Sequence, residues 1–217
     1  MFYYKLMEAR MTDLFDAEYF DEEFYVCRTG TKGGKRDVEI PVFPFYVSLM
    51  LECFGGKGFK FLDIGCGVGL RTMHYINAGE DAIGFDVSKY AYEHSALPDE
   101  KKVLGDVRNI AEIFPENSFD VINCERTMSY LPEEDANEII KNLAKVTKKY
   151  VMFAIICTDH KDQNLQVAGK PGRLNINTKE YWENLFFLNG LMIDFEKTKI
   201  MRPEYWDCTW VVRKQGV

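Results

Sequence analysis

The spacing of apolar positions sets the framework. Apolar runs recur as 59-FKFLDI-64, 82-AIGFDV-87, 102-KVLGDV-107, 119-FDVINC-124 and 150-YVMFAII-156. Each is short, rich in β-branched or aromatic residues and bounded by turn residues, so each predicts a strand. Between them the pattern changes to helical spacing. A helix is expected after the glycine turn to about residue 78, a short one around 90–95, and a longer one from Pro132 through EEDANEIIKNLAKVT. Proline at a helix start with acids in the first turn is a good N-terminal signal. Further along, Thr178 is placed to cap KEYWENLFFLN and Gly190 to stop it, and 42-VFPFYVSLMLECF-54 reads as a helix ended by Gly55 and Gly56. Two closing strands, 191–199 and 208–214, are expected with no helix between them, as an antiparallel edge. The sum is an α/β fold of seven strands, mostly parallel, with helices on both faces. Residues 1–57 are expected to form a helical lid-like segment packed on the core, and residues 58–217 the main domain.

Composition narrows the class. The 217 residues are 47% hydrophobic and 28% charged, enough to bury a sizeable core. A net charge of −7 argues against nucleic acid as the main partner, because such proteins usually carry a basic excess. Six scattered cysteines show no metal-ligand spacing, which predicts reduced thiols in a cytoplasmic protein. No membrane span or signal peptide is read at the N-terminus. The aromatics Tyr19, Phe20, Phe24 and Tyr25 either line a pocket or pack the segment down. The loop 29-TGTKGGKR-36 lacks the phosphate-loop spacing.

The chemistry concentrates at 63-DIGCGVG-69. Three glycines at alternate positions after a strand allow positive φ or close approach of a ligand. The dinucleotide spacing G-x-G-x-x-G is not met, which counts against a nicotinamide oxidoreductase. A carboxylate at Asp63 repels a pyrophosphate and suits a cationic ligand.

These residues resemble the D/E-x-G-x-G-x-G signature of the class I S-adenosylmethionine-dependent methyltransferases, and the resemblance continues at matching intervals over residues 58–214. It implies a Rossmann-like, doubly wound sheet. It also implies that Asp63, Gly65, Cys66, Gly67 and Gly69 lie along S-adenosylmethionine, with S-adenosylhomocysteine as the product. Asp86 is similar to the acid that binds the ribose hydroxyls, with Val87 beside it. Asp106 is similar to the residue that reads the adenine amino group, and Val107 would lie on the ring. Cys124 ends the fourth strand, in the region facing methionine and substrate. Many small-molecule members carry a histidine in the turn after that strand, where this chain has Tyr130. The Asn/Asp-Pro-Pro-Tyr sequence of base and glutamine methylation is absent.

The family has no universal catalytic residue, because the sulfonium already activates the methyl group and the protein mainly positions the nucleophile. An alcohol acceptor also needs a base. His160, after the fifth strand, is the best-placed candidate, ahead of His74 and His94. Tyr130 is a candidate donor to a substrate oxygen, and Arg126 and Arg173 are candidates for holding an anionic group. The resulting expectation is methyl transfer to oxygen or nitrogen of a small polar metabolite, such as a sugar or natural-product intermediate. The alternatives are a protein or RNA acceptor, or a cofactor-binding partner subunit that catalyses nothing. The sequence does not specify the oligomeric state.

Overall fold

The computed structural model describes residues 42–159, 173–202 and 208–216. The N-terminal aromatics, the 29–36 loop, Cys27 and His160 lie outside the described residues. Strands β1 (Lys60–Ile64), β2 (Asp81–Asp86), β3 (Lys102–Leu104), β4 (Phe119–Glu125), β5 (Thr147–Ala154), β6 (Leu191–Ile193) and β7 (Thr209–Lys214) form one sheet in the order β3-β2-β1-β4-β5-β7-β6. The first five pair in parallel, whereas β7 runs antiparallel to both β5 and β6. Helices α1 (Val42–Phe54), α2 (Leu70–Asn77), α3 (Lys89–Glu93), α4 (Ile110–Ile113), α5 (Glu133–Val146), α6 (Lys179–Leu188) and α7 (Phe195–Met201) are the α-helices of the described residues.

The two faces of the sheet follow from the two-residue period of a strand. Leu62, Ile122, Val151, Phe153, Trp210 and Val212 are buried in the cluster that also holds Ile139, Ile140, Leu143 and Phe186 of α5 and α6. Their sequence neighbours Phe61, Val121, Met152 and Val211 are buried on the other face with Val47 and Met50 of α1, Tyr75 of α2 and Met201 of α7. Tyr75 stacks on Phe61 with ring centres 4.6 Å apart, which seats α2 on β1. Helix α1 thus belongs to the packed body. Its stop is as read from the sequence: Gly55 and Gly56 both take positive φ, and Gly56 N–H donates to Leu51 O at 2.9 Å.

One expected element is corrected. Residues 191–199 are not a single strand, because β6 stops at Ile193 and α7 follows. Asp194 makes the break: its Oδ1 accepts from Lys197 N–H at 3.0 Å, the bond of a helix N-cap. The chain therefore passes through a helix before β7, which enters between β5 and β6 rather than outside them. Pro132 stands at the cap position of α5, one residue before the helix, with Glu133, Glu134 and Asp135 in its first turn. Thr178 caps α6 as expected, its side chain accepting from Tyr181 N–H at 3.2 Å.

No helix among the described residues is long and apolar enough to cross a membrane. Cys53, Cys66, Cys124, Cys157 and Cys208 form no disulfide.

Candidate active site

The glycine turn joins β1 to α2 at the carboxyl end of the sheet, where ligands of doubly wound folds bind. All three glycines have positive φ: 69° at Gly65, 57° at Gly67 and 85° at Gly69. Each answers a different demand. A Cβ on Gly65 would collide with the Thr127 hydroxyl, which donates to Ile64 O at 3.1 Å. A Cβ on Gly69 would lie 2.7 Å from Leu97 Cδ1, so this buried glycine makes room for packing rather than for a ligand. Gly67 N–H donates to Asp86 Oδ2 at 2.7 Å. The N–H groups of Gly65 and Cys66 both donate to Phe85 O, at 2.8 and 3.3 Å. The turn is thereby fastened along its length to the end of β2.

Asp86 is the fastening point. Its Oδ1 accepts from Ser88 N–H at 2.8 Å while Oδ2 holds Gly67. Burial raises the Asp86 carboxyl above its ordinary range, although the backbone N–H groups of Ser88 and Gly67 work against the rise. A carboxylate has about four lone-pair sites, so Asp86 keeps acceptor capacity beyond these bonds.

Asp63 is buried at 2% exposure. Its Oδ1 accepts from Asn123 Nδ2 at 2.6 Å and its Oδ2 from the Thr72 hydroxyl at 2.8 Å. The Asn123 contact follows from the parallel register, which sets Asp63 opposite Asn123. Arg71 Nη1 stands 3.9 Å from Oδ1. Burial nevertheless dominates and holds the Asp63 carboxyl above its usual range, against the lowering by Arg71 and the two hydrogen bonds. Asp63 therefore knits β1, β4 and α2 together beneath the turn.

The sequence reading missed Arg71, Thr72 and Asn123. The usable signal was the strand period: Val121, Asn123 and Glu125 share one face, and Val121 is buried on the α2 side. Glu125 on that face meets Arg71, whose Nη2 pairs closely with Glu125 Oε2.

Asp106 departs from its simple role. It caps the short turn Val107–Asn109, with Oδ1 accepting from Arg108 N–H at 2.9 Å. Its Oδ2 receives both Nε and Nη2 of Arg108. The Arg108 guanidinium thus sets two donors on one oxygen of the carboxylate expected to read adenine. Val107 is 4% exposed and packed in the core with Phe85 and Ile110, so little of it faces outward, whereas Val87 is half-buried. Cys124 is likewise a core residue, fully buried, with its thiol pushed up to about 12 by burial. Cys66 also has its thiol raised, chiefly by burial.

Beyond β4 the backbone is unusual. Arg126 is one of two non-glycine residues with positive φ among the described residues, at 62°. Its N–H donates to Ala154 O at 2.6 Å, and its carbonyl accepts from the Ser129 hydroxyl at 3.0 Å. The Ser129 carbonyl accepts from Leu174 and Asn175 N–H, at 2.9 and 3.2 Å. These bonds bring Arg173 back to Tyr130, its guanidinium 5.9 Å from the ring centre. Arg126, Tyr130 and Arg173 are thus gathered around one turn.

Asp159, next to His160 in sequence, accepts from Lys179 N–H at 3.0 Å and so anchors the start of α6. His94 stacks on Tyr90 at 4.0 Å and its Nδ1 lies 2.9 Å from Tyr90 O.

Comparison with known proteins agrees with this geometry. Residues 62–155 match the family model described as a methyltransferase domain. The ubiquinone biosynthesis O-methyltransferase of Proteus mirabilis is 28% identical over 130 residues, which cover 56% of this chain and 52% of that protein. An uncharacterised methyltransferase of Bacillus subtilis, YcgJ, is 24% identical over 168 residues, covering 71% of this chain and 64% of the relative. The chain thus spans about half the length of the Proteus protein. Among solved structures, a SAM-dependent methyltransferase from Archaeoglobus fulgidus superposes with a TM-score of 0.66 at 13% identity, covering 89% of this chain and all of the other. The magnesium protoporphyrin IX methyltransferase of Synechocystis with bound SAH gives 0.65 at 15% identity, covering 96% of this chain and all of the other. At such identities these likenesses speak for the fold. The family match and the glycine turn fastened to Asp86 carry the assignment further: residues 62–155 are a methyltransferase domain, on a fold shared with S-adenosylmethionine-dependent methyltransferases.

Proposed function

We propose that the protein transfers a methyl group from S-adenosylmethionine to an oxygen or nitrogen of a small polar molecule and releases S-adenosylhomocysteine. The observation that carries this reading is the turn Gly65–Gly69 held to Asp86 through Gly67 N–H at 2.7 Å. It sets a carboxylate with spare acceptor capacity beside a glycine-rich helix start at the carboxyl ends of the strands. In this reading Asp86 takes the ribose hydroxyls and the backbone of Gly65 and Gly67 runs along the methionine portion. Asp63 acts from below, fixing the turn and lending negative charge near the cationic end of the cofactor. Asp106 meets adenine only through the acceptor capacity that Arg108 leaves it.

The methyl group moves in line: a bond forms from the acceptor atom to the methyl carbon as the carbon–sulfur bond breaks, and the sulfur keeps the electron pair. The protein's part is to bring the acceptor to about 3 Å in line with that bond and to exclude water. A hydroxyl acceptor gives its proton to a base, for which His160 is our candidate, while a neutral amine needs none before transfer. The test is calorimetry with S-adenosylmethionine, S-adenosylhomocysteine and NADH, followed by turnover assays over a panel of small hydroxyl and amine acceptors. Binding of the first two without NADH, and product release with an acceptor, is the expected result. Failure of both sulfur ligands to bind folded protein overturns the proposal. With an acceptor in hand, His160→Ala should cut turnover by about a hundredfold if His160 is the base, and near-normal turnover removes it from the mechanism.

A further inference from the structure

We propose that Arg108 is a positioning residue for the base end of the cofactor: it sets three donors on Asp106, shares the charge of that carboxylate, and so leaves the site tolerant of change at the purine amino group. This deepens the proposed methyl transfer and rests on it.

The first support is order along the sheet. Strands β3, β2 and β1 are consecutive neighbours. In the proposed reading the methionine portion lies at the end of β1, and the ribose lies at Asp86, the last residue of β2. The sulfur and the base hang from opposite ends of the ribose, so the base extends over the end of β3. Asp106 stands there. Leu104, the last residue of β3, is opposite Asp86, and Gly105 N–H donates to Asp86 O at 2.9 Å. The Asp106 side chain is 18% exposed, which leaves part of it within reach of a ligand.

The second is how Asp106 is already held. Arg108 N–H donates to Oδ1 at 2.9 Å, while Arg108 Nε, at 2.9 Å, and Nη2 both donate to Oδ2. Each carboxylate oxygen offers about two lone-pair sites. The guanidinium therefore takes up Oδ2, and acceptor capacity for a ligand is left at Oδ1. A donor arriving there meets a charge that is already paired, which attracts it less than a bare carboxylate does.

The third is that Arg108 is held from a second element. Its Nη1 lies 3.6 Å from Asp135 Oδ2 in the first turn of α5. Its carbonyl accepts from Asn142 Nδ2 of the same helix at 3.4 Å. The side chains of Arg108 and Asp135 are only 16% and 14% exposed. The guanidinium thus stands between two carboxylates from different parts of the fold and stays on Asp106 when a base arrives.

The test compares S-adenosylhomocysteine with its 6-deamino analogue, in which hydrogen replaces the purine amino group, by calorimetry on the full chain. Wild type should lose about two- to tenfold in affinity on this deletion, the scale of a hydrogen bond between uncharged groups. Arg108→Gln should make the loss about tenfold larger, because the amino group then meets an unshared charge. Arg108→Lys, which keeps the charge, should stay closer to wild type. Adding Asp106→Asn should abolish the effect of Arg108→Gln, since no charge is left to share. Melting curves establish that each variant is folded. Should Arg108→Gln not fold, Asp135→Asn gives a second reading. With its rival carboxylate neutral, Arg108 belongs wholly to Asp106, and the cost of deleting the amino group should fall below wild type; an equal or higher cost overturns the proposal. A wild-type loss of about a hundredfold or more, the same loss in wild type and Arg108→Gln, or an Arg108→Gln effect that persists beside Asp106→Asn also overturns it, and leaves methyl transfer standing. If S-adenosylhomocysteine does not bind folded wild type, the methyl-transfer reading falls and this inference falls with it.

Discussion

The two halves of the carboxyl edge are built by different means. On the β1–β2 side, main-chain groups do the holding: Gly65, Cys66 and Gly67 all donate their N–H groups to β2, two to Phe85 O and one to Asp86. On the β4–β5 side, side chains and a strained residue do it, through Arg126 in the left-handed region, the buried Ser129 and Arg173 over Tyr130. The first half suits a ligand that is the same in every turnover, because main-chain geometry is insensitive to most substitutions. The second suits a partner that differs from one relative to another, because single side-chain changes remodel it. The halves touch where the Thr127 hydroxyl passes over Gly65.

That contact is where the contrast breaks most sharply. Gly65→Ala combines positive φ with a collision against Thr127, and should cost about 2–4 kcal/mol of stability, with loss of cofactor binding. Adding Thr127→Ala should recover part of the loss by removing the struck hydroxyl, leaving only the backbone penalty. Denaturant melts of the single and double variants read this directly, and strict additivity would separate the two residues.

Next in size is Asp86→Ala, expected to weaken S-adenosylhomocysteine binding by about 1–3 kcal/mol. A 2′-deoxy analogue sharpens the point: it should lose much less affinity on this substitution than the parent ligand does. Equal losses would assign the whole effect to the freed Gly67 and Ser88 N–H groups, and unchanged affinity would sink the ribose role.

A smaller effect concerns Asp63. Its folded carboxyl is raised above the ordinary 3.8, chiefly by burial. The folded protein therefore binds this proton more readily than the unfolded chain. The contribution favours the fold fully below the unfolded value and is lost as pH rises through the raised one. Asp63→Asn removes that slope. The difference in melting temperature between variant and wild type should thus shift in the variant's favour from acid toward neutral pH. A constant difference would show that Asp63 titrates alike in both states.

How much was legible in the sequence divides along the same line. The positions of the first five strands and the glycine turn could be read because they depend on short apolar runs and on the φ range open to glycine, both local properties. Asp86 could be read for the same reason, standing at the end of its strand. Asp106 was only half legible: its position follows from its strand, but the return of the Arg108 side chain onto one of its oxygens does not. The family resemblance sets Val107 and Cys124 along the cofactor, yet both side chains lie in the core. Arg71, Thr72 and Asn123 were missed because their roles depend on which helix face meets which strand face, a long-range fact. The break at Asp194 was missed for the opposite reason: a single capping carboxylate outweighed the apolar run before it.

The late entry of β7 has a consequence for how the chain comes into being. Residues Thr209–Lys214 fill the gap between β5 and β6, and among the described residues β6 has no other neighbour in the sheet. During synthesis the parallel strands β1 to β5 can pair as they emerge. One edge of β5 then stays open, and β6 unattached, until β7 leaves the ribosome. An open edge of this kind invites pairing with other chains. Assembly of this sheet therefore waits on β7. A chain halted just before Thr209 would carry the whole glycine turn and its Asp86 anchor and still present an unpaired β5 edge to its neighbours.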